Sequence, residues 1–463
     1  MAQLNISSPP PKDSPDFDGW LIQVSQYLND YLGYSYTQGN KTISVSKTIS
    51  ENIVMSYGSM FTIPNGITLT ITGRFEAGLY QVFNCTGTGK VVFGALSVTE
   101  IHPEWWGKCP NGTNDTAVLN KAIAATVVWG DVYGRVGDPS LVLGPGKYYV
   151  EPGNLSPITC TLLAHEAIFS PTEEVTAGLS ILQFSYLEGL QPKQVRLGGV
   201  IGLTAYNADP TTHYHIGVNL IKGDHAQWEI GQLSNLKVGL SVSGDSSQEH
   251  VGIHKFKIGV ISGCETGIFL SCGTGDNTTE CNVFDIDYVT WNATAVYLYG
   301  VTGDSYILNN TFNINVLELN ALSAYVVYGF LVSGPVVFSN MFRVRGGLVP
   351  PGAGSASSYI IVTSDSCYDN TFELCYLDIA KCYFAGGYNI IRQDGIANAT
   401  YPSLLTNDNA RSTIMDSAAP TAGIWRRGDK CWNSTPTAAQ YIGFICVASG
   451  TPGTWKGFGL IEA

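Results

Sequence analysis

The sequence predicts an all-β fold, a right-handed single-stranded parallel β-helix with an N-terminal capping α-helix and a small C-terminal β module. Three observations predict it: an aromatic residue that recurs every 28 to 30 positions, a period-two apolar pattern around each recurrence, and Gly or Asn where the short apolar runs end.

The recurring aromatic is Trp228, Phe256, Phe284, Phe312, Phe342 and Phe372, at steps of 28, 28, 28, 30 and 30 residues. It closes the triplets Asn282-Val283-Phe284, Asn310-Thr311-Phe312, Asn340-Met341-Phe342 and Asn370-Thr371-Phe372, which His254-Lys255-Phe256 and Ala226-Gln227-Trp228 precede. Two residues after each aromatic stands an aliphatic, Ile230, Ile258, Ile286, Ile314, Val344 and Leu374, so one strand face is always apolar. A second run recurs between triplets as Gly267-Ile268-Phe269-Leu270, Ala295-Val296-Tyr297-Leu298, Gly329-Phe330-Leu331-Val332 and Tyr359-Ile360-Ile361-Val362. Two or three strands per repeat make one coil, and coils stack about 4.8 Å apart. The recurring Asn suits an amide ladder running from coil to coil.

Along the chain, residues 1–35 read as an arm with Pro9, Pro10, Pro11 and Pro15, followed by a short helix carrying Trp20, Leu21, Val24, Tyr27, Leu28 and Tyr31 at helical spacing. Residues 36–100 are short alternating strands broken by glycines such as Gly58, Gly66 and Gly87. In the span 101–400, the body, Asn114-Asp115-Thr116 reads as the cap of a helix with Leu119, Ala122, Ile123, Thr126 and Val127 on one face, suited to covering an open solenoid end. Residues 401–463 read as the terminal β module.

Composition agrees with a sheet-rich, Gly-turned chain: of 463 residues only 13% are charged, with 52 Gly and 25 Tyr. A formal net charge of −13 argues against nucleic-acid and anionic-membrane partners, which need basic surfaces. Eleven cysteines without repeated zinc spacing imply neither a metal cluster nor a cofactor, and read as reduced thiols packed as small apolar groups. No charged n-region followed by an apolar stretch opens the sequence, so export by a signal peptide is not expected.

The passage Glu104-Trp105-Trp106-Gly107, Asn114-Asp115-Thr116-Ala117, Ala122-Ile123 and Leu143-Gly144-Pro145-Gly146-Lys147-Tyr148-Tyr149 resembles the opening motif of the pectate-lyase-like β-helix superfamily as it occurs in bacteriophage tailspikes. The usual Asp-Gly-x-x-Asp is altered to Asn111-Gly112-Thr113-Asn114-Asp115. The segment with Trp425, Gly428-Asp429 and Gly450-Thr451-Pro452-Gly453-Thr454-Trp455 resembles a terminal module of phage tail proteins, which trimerises or touches glycans. The resemblance implies a homotrimer in the virion, assembled in the host cytoplasm. It further implies docking to a phage tail or baseplate protein through the N-terminus and action on a bacterial surface polysaccharide.

If Phe284 and Ile286 point inward, Asp285 and Asp287 point outward, and the outward residues read Gln227/Glu229, Lys255/Lys257, Asp285/Asp287, Asn313/Asn315, Arg343/Arg345 and Glu373/Cys375. The plainer reading is a self-neutralising charge ladder. The sharper one is a glycan groove. Glycoside hydrolysis needs two carboxyl groups roughly 5 to 9.5 Å apart. Asp285 and Asp287, about 6.5 to 7 Å apart at strand rise, are the favoured acid and base or nucleophile, with Glu229 as substitute. Arg343, Arg345, Lys257, Asn313, Glu373 and Trp291 are the candidate substrate contacts. A lyase would instead draw on Arg343 or Arg345 beside a uronate, and a non-catalytic receptor-binding spike needs no carboxylate pair. Tyr288, Tyr297 and His213-Tyr214-His215 are further candidates for sugar or ligand contact, and Glu265, Glu280, Glu318, Asp304 and Asp369 fall near coil corners.

Overall fold

The computed structural model describes residues 20, 24, 34–37, 39–126, 139–174, 178–185, 193–203, 214–243, 250–272, 278–301, 305–319, 326–334, 336–348, 358–364, 367–375, 382–384, 389–394, 411–422 and 425–462. Its sheets are almost entirely parallel, giving an architecture like that of a parallel β-helix. The chain falls into two compact units, Met1–Leu143 with Thr159–Leu163, and Gly144–Ile158 with Ala164–Ala463. Of the predicted N-terminal helix, Trp20 and Val24 are helical and the rest lies outside the described residues.

In the first unit, three short three-stranded parallel sheets take one strand each from successive coils. Phe61 pairs with Phe83 and Leu69 with Val91, a repeat of 22 residues that the sequence does not advertise with any single recurring side chain. Period-two burial in strands such as Asn52–Met55, Met60–Ile63 and Thr68–Ile71 sends Ile53, Phe61, Leu69 and Ile71 into one interior. Phe75, Phe83, Phe93, Trp105 and Trp106 extend it as an aromatic cluster, with Phe75 5.4 Å from Phe83 and 5.2 Å from Trp105.

Helix α1 (Thr116–Ala125) begins where expected and buries Leu119, Ala122 and Ile123. Its cap differs from the expectation. The Asp115 carboxylate makes no capping bond to the helix and instead accepts the backbone N–H of Asn111 at 2.8 Å, while Asn114 Oδ1 accepts the Thr116 N–H at 3.0 Å. The helix packs on the 3₁₀ turn Pro103–Trp106 and on strand Lys90–Phe93, and Lys121 Nζ donates to the Cys85 carbonyl at 2.9 Å.

In the second unit each of the four coils between Gln227 and Phe338 supplies three strands. A long sheet carries Gln194–Ile201, Gln227–Ser234, Lys255–Ser262, Val283–Thr290, Thr311–Glu318, Met341–Leu348 and Thr371–Cys375. A second row carries Val238–Ser243, Thr266–Cys272, Thr294–Gly300, Val327–Ser333 and Ser358–Thr363. A third row of short strands includes Thr278–Glu280 and Tyr306–Leu308.

The predicted repeat sets the register. Trp228, Phe256, Phe284, Phe312, Phe342 and Phe372 are aligned across the long sheet. Their rings stack inside, the four Phe–Phe steps from Phe256 onward being 4.6 to 5.0 Å and within 5° of parallel.

Beside the stack runs the amide ladder. Asn282, Asn310, Asn340, Asn370 and Asn389 are fully buried, and each Nδ2 donates to the Oδ1 of the next at 2.9 to 3.1 Å. The same Oδ1 also accepts the backbone N–H of the preceding ladder residue, as Asn310 does from Asn282 at 3.1 Å. The residues before Ala226, His254, Asn282, Asn310, Asn340 and Asn370, namely His225, Ile253, Cys281, Asn309, Ser339 and Asp369, are left-handed, with φ between 55° and 59°. His254 stands in the ladder ahead of Asn282. Its Nδ1 accepts the Ala226 N–H at 3.1 Å, its Nε2 bonds to the Gly223 carbonyl at 2.9 Å, and its own N–H reaches Asn282 Oδ1 at 3.0 Å.

Downstream, Arg411–Asp416 pairs in parallel with Lys430–Asn433, and Tyr441–Ala448 and Thr454–Leu460 then add antiparallel strands. Ile414, Trp425, Cys431 and Cys446 form the local core, with Trp455 set edge-on to Trp425 at 5.2 Å.

Replacing Asn310 by Ala removes the acceptor of two buried donors on Asn282 and orphans one lone pair of Asn340. The expected cost is about 3 kcal/mol of unfolding free energy in urea. Burial pushes the His254 imidazole down from 6.5 to about 4, outweighing the hydrogen bonds that favour its charged form. Between those values the unfolded chain takes up a proton that the folded chain does not. Stability is therefore full above about pH 6.5 and falls by about 3 kcal/mol as pH drops toward 4. His254→Asn, which offers the same acceptor and donor without titrating, is expected to flatten that part of a stability-versus-pH curve.

Candidate functional site

The strand Val283–Thr290 shows how the outward surface is made. Phe284 and Ile286 point inward at period two, but the next inward residue is Val289. The strand bends between, so Asp285, Asp287 and Tyr288 all lie on the outer side. In the two preceding coils Gly231 and Gly259 hold the position of Asp287, and Asn315 holds it in the next, so this column is filled by turn-favouring residues. The Gly and Asn types were the sequence signal for the bend.

Register also corrects how the outward residues stack. Glu229, Lys257, Asp285, Asn313, Arg343 and Glu373 form one column, continued backward by Arg196. Asp287, Asn315 and Arg345 stand in a different column two residues along, and Gln227 and Lys255 in a third that leads to Val283. Glu229 and Asp285 are therefore two strands apart, about 9.6 Å, with Lys257 between them.

The charges neutralise each other along the column. Arg196 lies 3.8 Å from Glu229, Lys257 3.6 Å from Glu229 on the other side, Lys255 4.0 Å from Asp285, and Arg343 2.9 Å from Glu373. All of these groups are substantially exposed, so each pair contributes about 1 kcal/mol at most. Asp285 Oδ1 accepts the Asn313 amide at 2.8 Å, and Asp287 Oδ1 accepts the Asn315 amide at 2.9 Å. Each carboxylate thus keeps one oxygen on the next coil and one for other partners.

A neighbouring group was named in the sequence only as separate residues. Tyr288 Oη and Thr290 Oγ1 both donate to Glu318 Oε2, the latter at 2.7 Å. The bond to Glu318, followed by partial burial, raises the Tyr288 phenol above its ordinary range. Glu318 follows Asn313 and Asn315 on its strand, so this carboxylate sits one coil beyond Asp287, on the same sheet. Trp291 is the next residue after Thr290, 42% exposed and held at φ 55°, where the equivalent corners carry Asn235 and Gly263. A bulky side chain is costly there.

The remaining candidates separate. Tyr297 lies on the second row of strands, away from the charged columns. His215 is buried, its Nε2 3.2 Å from Glu174 Oε2, and His213 lies outside the described residues, as does Asp304. Glu280 pairs with His250 at 3.0 Å, and burial raises the Glu265 carboxyl against the opposing pull of Lys237.

Comparison with family models, curated proteins and solved structures finds no match in any of the three.

Asn313→Asp would set a carboxylate against Asp285 in place of an amide donor. The expected result is a loss of about 1 kcal/mol in unfolding free energy at low ionic strength, shrinking in about 0.5 M NaCl as the repulsion is screened.

Proposed function

We propose that this chain is a tailspike-type receptor-binding protein of a bacteriophage, built on a right-handed β-helix, that binds a bacterial capsule or O-antigen and cleaves it by endo-glycosidic hydrolysis. The observation that carries this reading is the exposed polar face of the long sheet, where Asp285, Asp287, Tyr288 and Glu318 stand on adjoining coils of a rigid ladder. Rigid elements hold catalytic groups to the tolerance that hydrolysis needs. The fold alone does not select this function, and the resemblance of the Trp105-Trp106-Gly107 and Pro145-Gly146-Lys147-Tyr148 passages to tailspikes supplies the phage context.

In this proposal Asp285 and Asp287 remain the favoured pair, with Glu229 as substitute and Glu318 as an added carboxylate. Arg343, Arg345, Lys257, Asn313, Glu373 and Trp291 contact the glycan. The homotrimer, the attachment of residues 1–35 to a tail or baseplate protein, the covering role of α1, and the action of the virion at the bacterial surface belong to the same proposal. A non-catalytic spike is the second reading. The Asn313 and Asn315 amides favour it, because they commit one oxygen of each aspartate to the scaffold.

The test is incubation of the purified chain with capsule or lipopolysaccharide from a panel of bacterial strains, reading new reducing ends and ultraviolet absorbance of unsaturated uronates. Under hydrolysis, Asp285→Asn or Asp287→Asn is expected to lower reducing-end release at least about a hundredfold while polysaccharide binding persists. Release that survives both but is lost in Glu318→Gln moves the chemistry one coil along. An ultraviolet signal means a lyase, and binding without new ends leaves the non-catalytic spike.

A further inference from the structure

The two broad faces of the second unit differ in charge. Each long-sheet strand from Gln227–Ser234 to Thr371–Cys375 carries at least one charged residue or, in Thr311–Glu318, a carboxylate at its end. In the second row the strand Ile216–Asp224 carries Lys222 and Asp224, and the five that follow it, Val238–Ser243, Thr266–Cys272, Thr294–Gly300, Val327–Ser333 and Ser358–Thr363, carry no Asp, Glu, Lys or Arg.

What they turn outward is aromatic, hydroxylic or aliphatic, with Leu331 and Val362 continuing the column of Phe269 and Tyr297. Phe269 and Tyr297 share a column and lie 5.4 Å apart, Tyr299 follows Tyr297 at 5.8 Å, and Tyr328 stacks on Tyr359 at 5.9 Å with ring planes 14° apart. Tyr299 is 43% exposed, and the other four are half-buried, with their inward neighbours filling the core. Ser333 donates to the Tyr297 hydroxyl at 3.4 Å, so that ring is tied to the sheet at its polar end.

We propose that this uncharged aromatic face is a second carbohydrate-binding surface, separate from the charged strip, that takes uncharged pyranose units. The inference rests on the reading of the chain as a polysaccharide-binding protein and adds where, and on which sugars, it holds the polymer.

Chemistry and size both select that occupant. A pyranose ring offers an apolar C–H face for stacking on Phe or Tyr and hydroxyls around its rim for the Ser and Tyr hydroxyls, the pairing of apolar body and polar tip that tyrosine provides. A sulfated or uronic polymer would find no cation within these five strands, only Lys237 beside Glu265 at their edge and Lys222 on the adjoining strand, and it would approach a chain of net charge −13. Four coils by three outward columns span about 19 by 20 Å, on the order of 400 Å². A stable protein interface takes about 800 Å² from each partner, so a second copy needs roughly twice this face while a short stretch of glycan does not.

The experiment uses a polysaccharide from the strain panel that the unmodified chain binds. Its Kd is measured for that chain and for Tyr297→Ala, Tyr299→Ala and Tyr297→Phe at about 50 and 500 mM NaCl, with native mass by light scattering and thermal midpoints alongside. The proposal expects each Ala substitution to weaken binding about tenfold, Tyr297→Phe to stay within about threefold, and salt to change little, because stacking rather than charge holds the sugar. Tyr299→Ala, at the most exposed ring, reads the same effect without touching the core. Unchanged Kd in both Ala variants overturns the proposal and leaves the polysaccharide-binding reading standing. A fall in native mass in either also overturns it, since the face would then lie between copies. Failure of the unmodified chain to bind polysaccharide from any strain removes the polysaccharide-binding reading itself, and this surface with it.

Discussion

The second unit depends on one side chain doing two jobs at each corner. An asparagine amide donates and accepts at once, so a row of them passes hydrogen bonds from coil to coil without an unpaired atom. Asn282, Asn310, Asn340, Asn370 and Asn389 do this in a buried interior, where an orphaned amide would cost more than its bond contributes. The ladder pins the register: a slip by one residue would break every rung and turn every inward side chain outward. Coils can still differ in length. The spacing from Asn to Phe stays at two whether the coil has 28 or 30 residues, so the extra residues lie away from ladder and stack.

What was legible in the sequence follows from this constraint. Wherever one side chain type is forced to repeat, as in the Asn-x-Phe triplets, the period, the inward face and the strand pairing can all be read, and the structure keeps them. The first unit was less legible because its 22-residue coils are held by backbone pairing and mixed apolar residues, with no shared amide to mark the corner. The bend after Ile286 was missed for a related reason. Period two continues correctly for two inward residues and then skips one, and only the Gly231, Gly259, Asp287, Asn315 column hints at it. Asp115 shows the limit at the level of single bonds, since sequence put a carboxylate at the right place for a helix cap and the local turn gave it to the backbone N–H of Asn111, four residues back, instead.

The outward residues obey weaker rules, and that is where functional reading from sequence loses register. Taking the residues that flank each inward aromatic placed Glu229, Lys257 and Asp287 in one strip, whereas the bend and the two-residue offset separate Asp287 from the other two. The consequence is chemical. Lys257 stands between Glu229 and Asp285 and pairs with Glu229, so the two acids do not face each other across open space. Glu318 gains in the same reckoning, because the bend turns Tyr288 outward to meet it from the neighbouring coil.

Corner backbone adds a last constraint that separates scaffold from surface. The left-handed positions before the ladder accept His, Ile, Cys, Asn, Ser and Asp with nearly the same φ, although a β-branched residue such as Ile253 is poorly suited to that conformation. Their backbone is therefore set by the rungs on either side and not by their own side chains. The same holds at Trp291, where the coil would be served by the Asn or Gly of the neighbouring corners. A scaffold that over-determines its corners can carry an unfavourable residue at an exposed position.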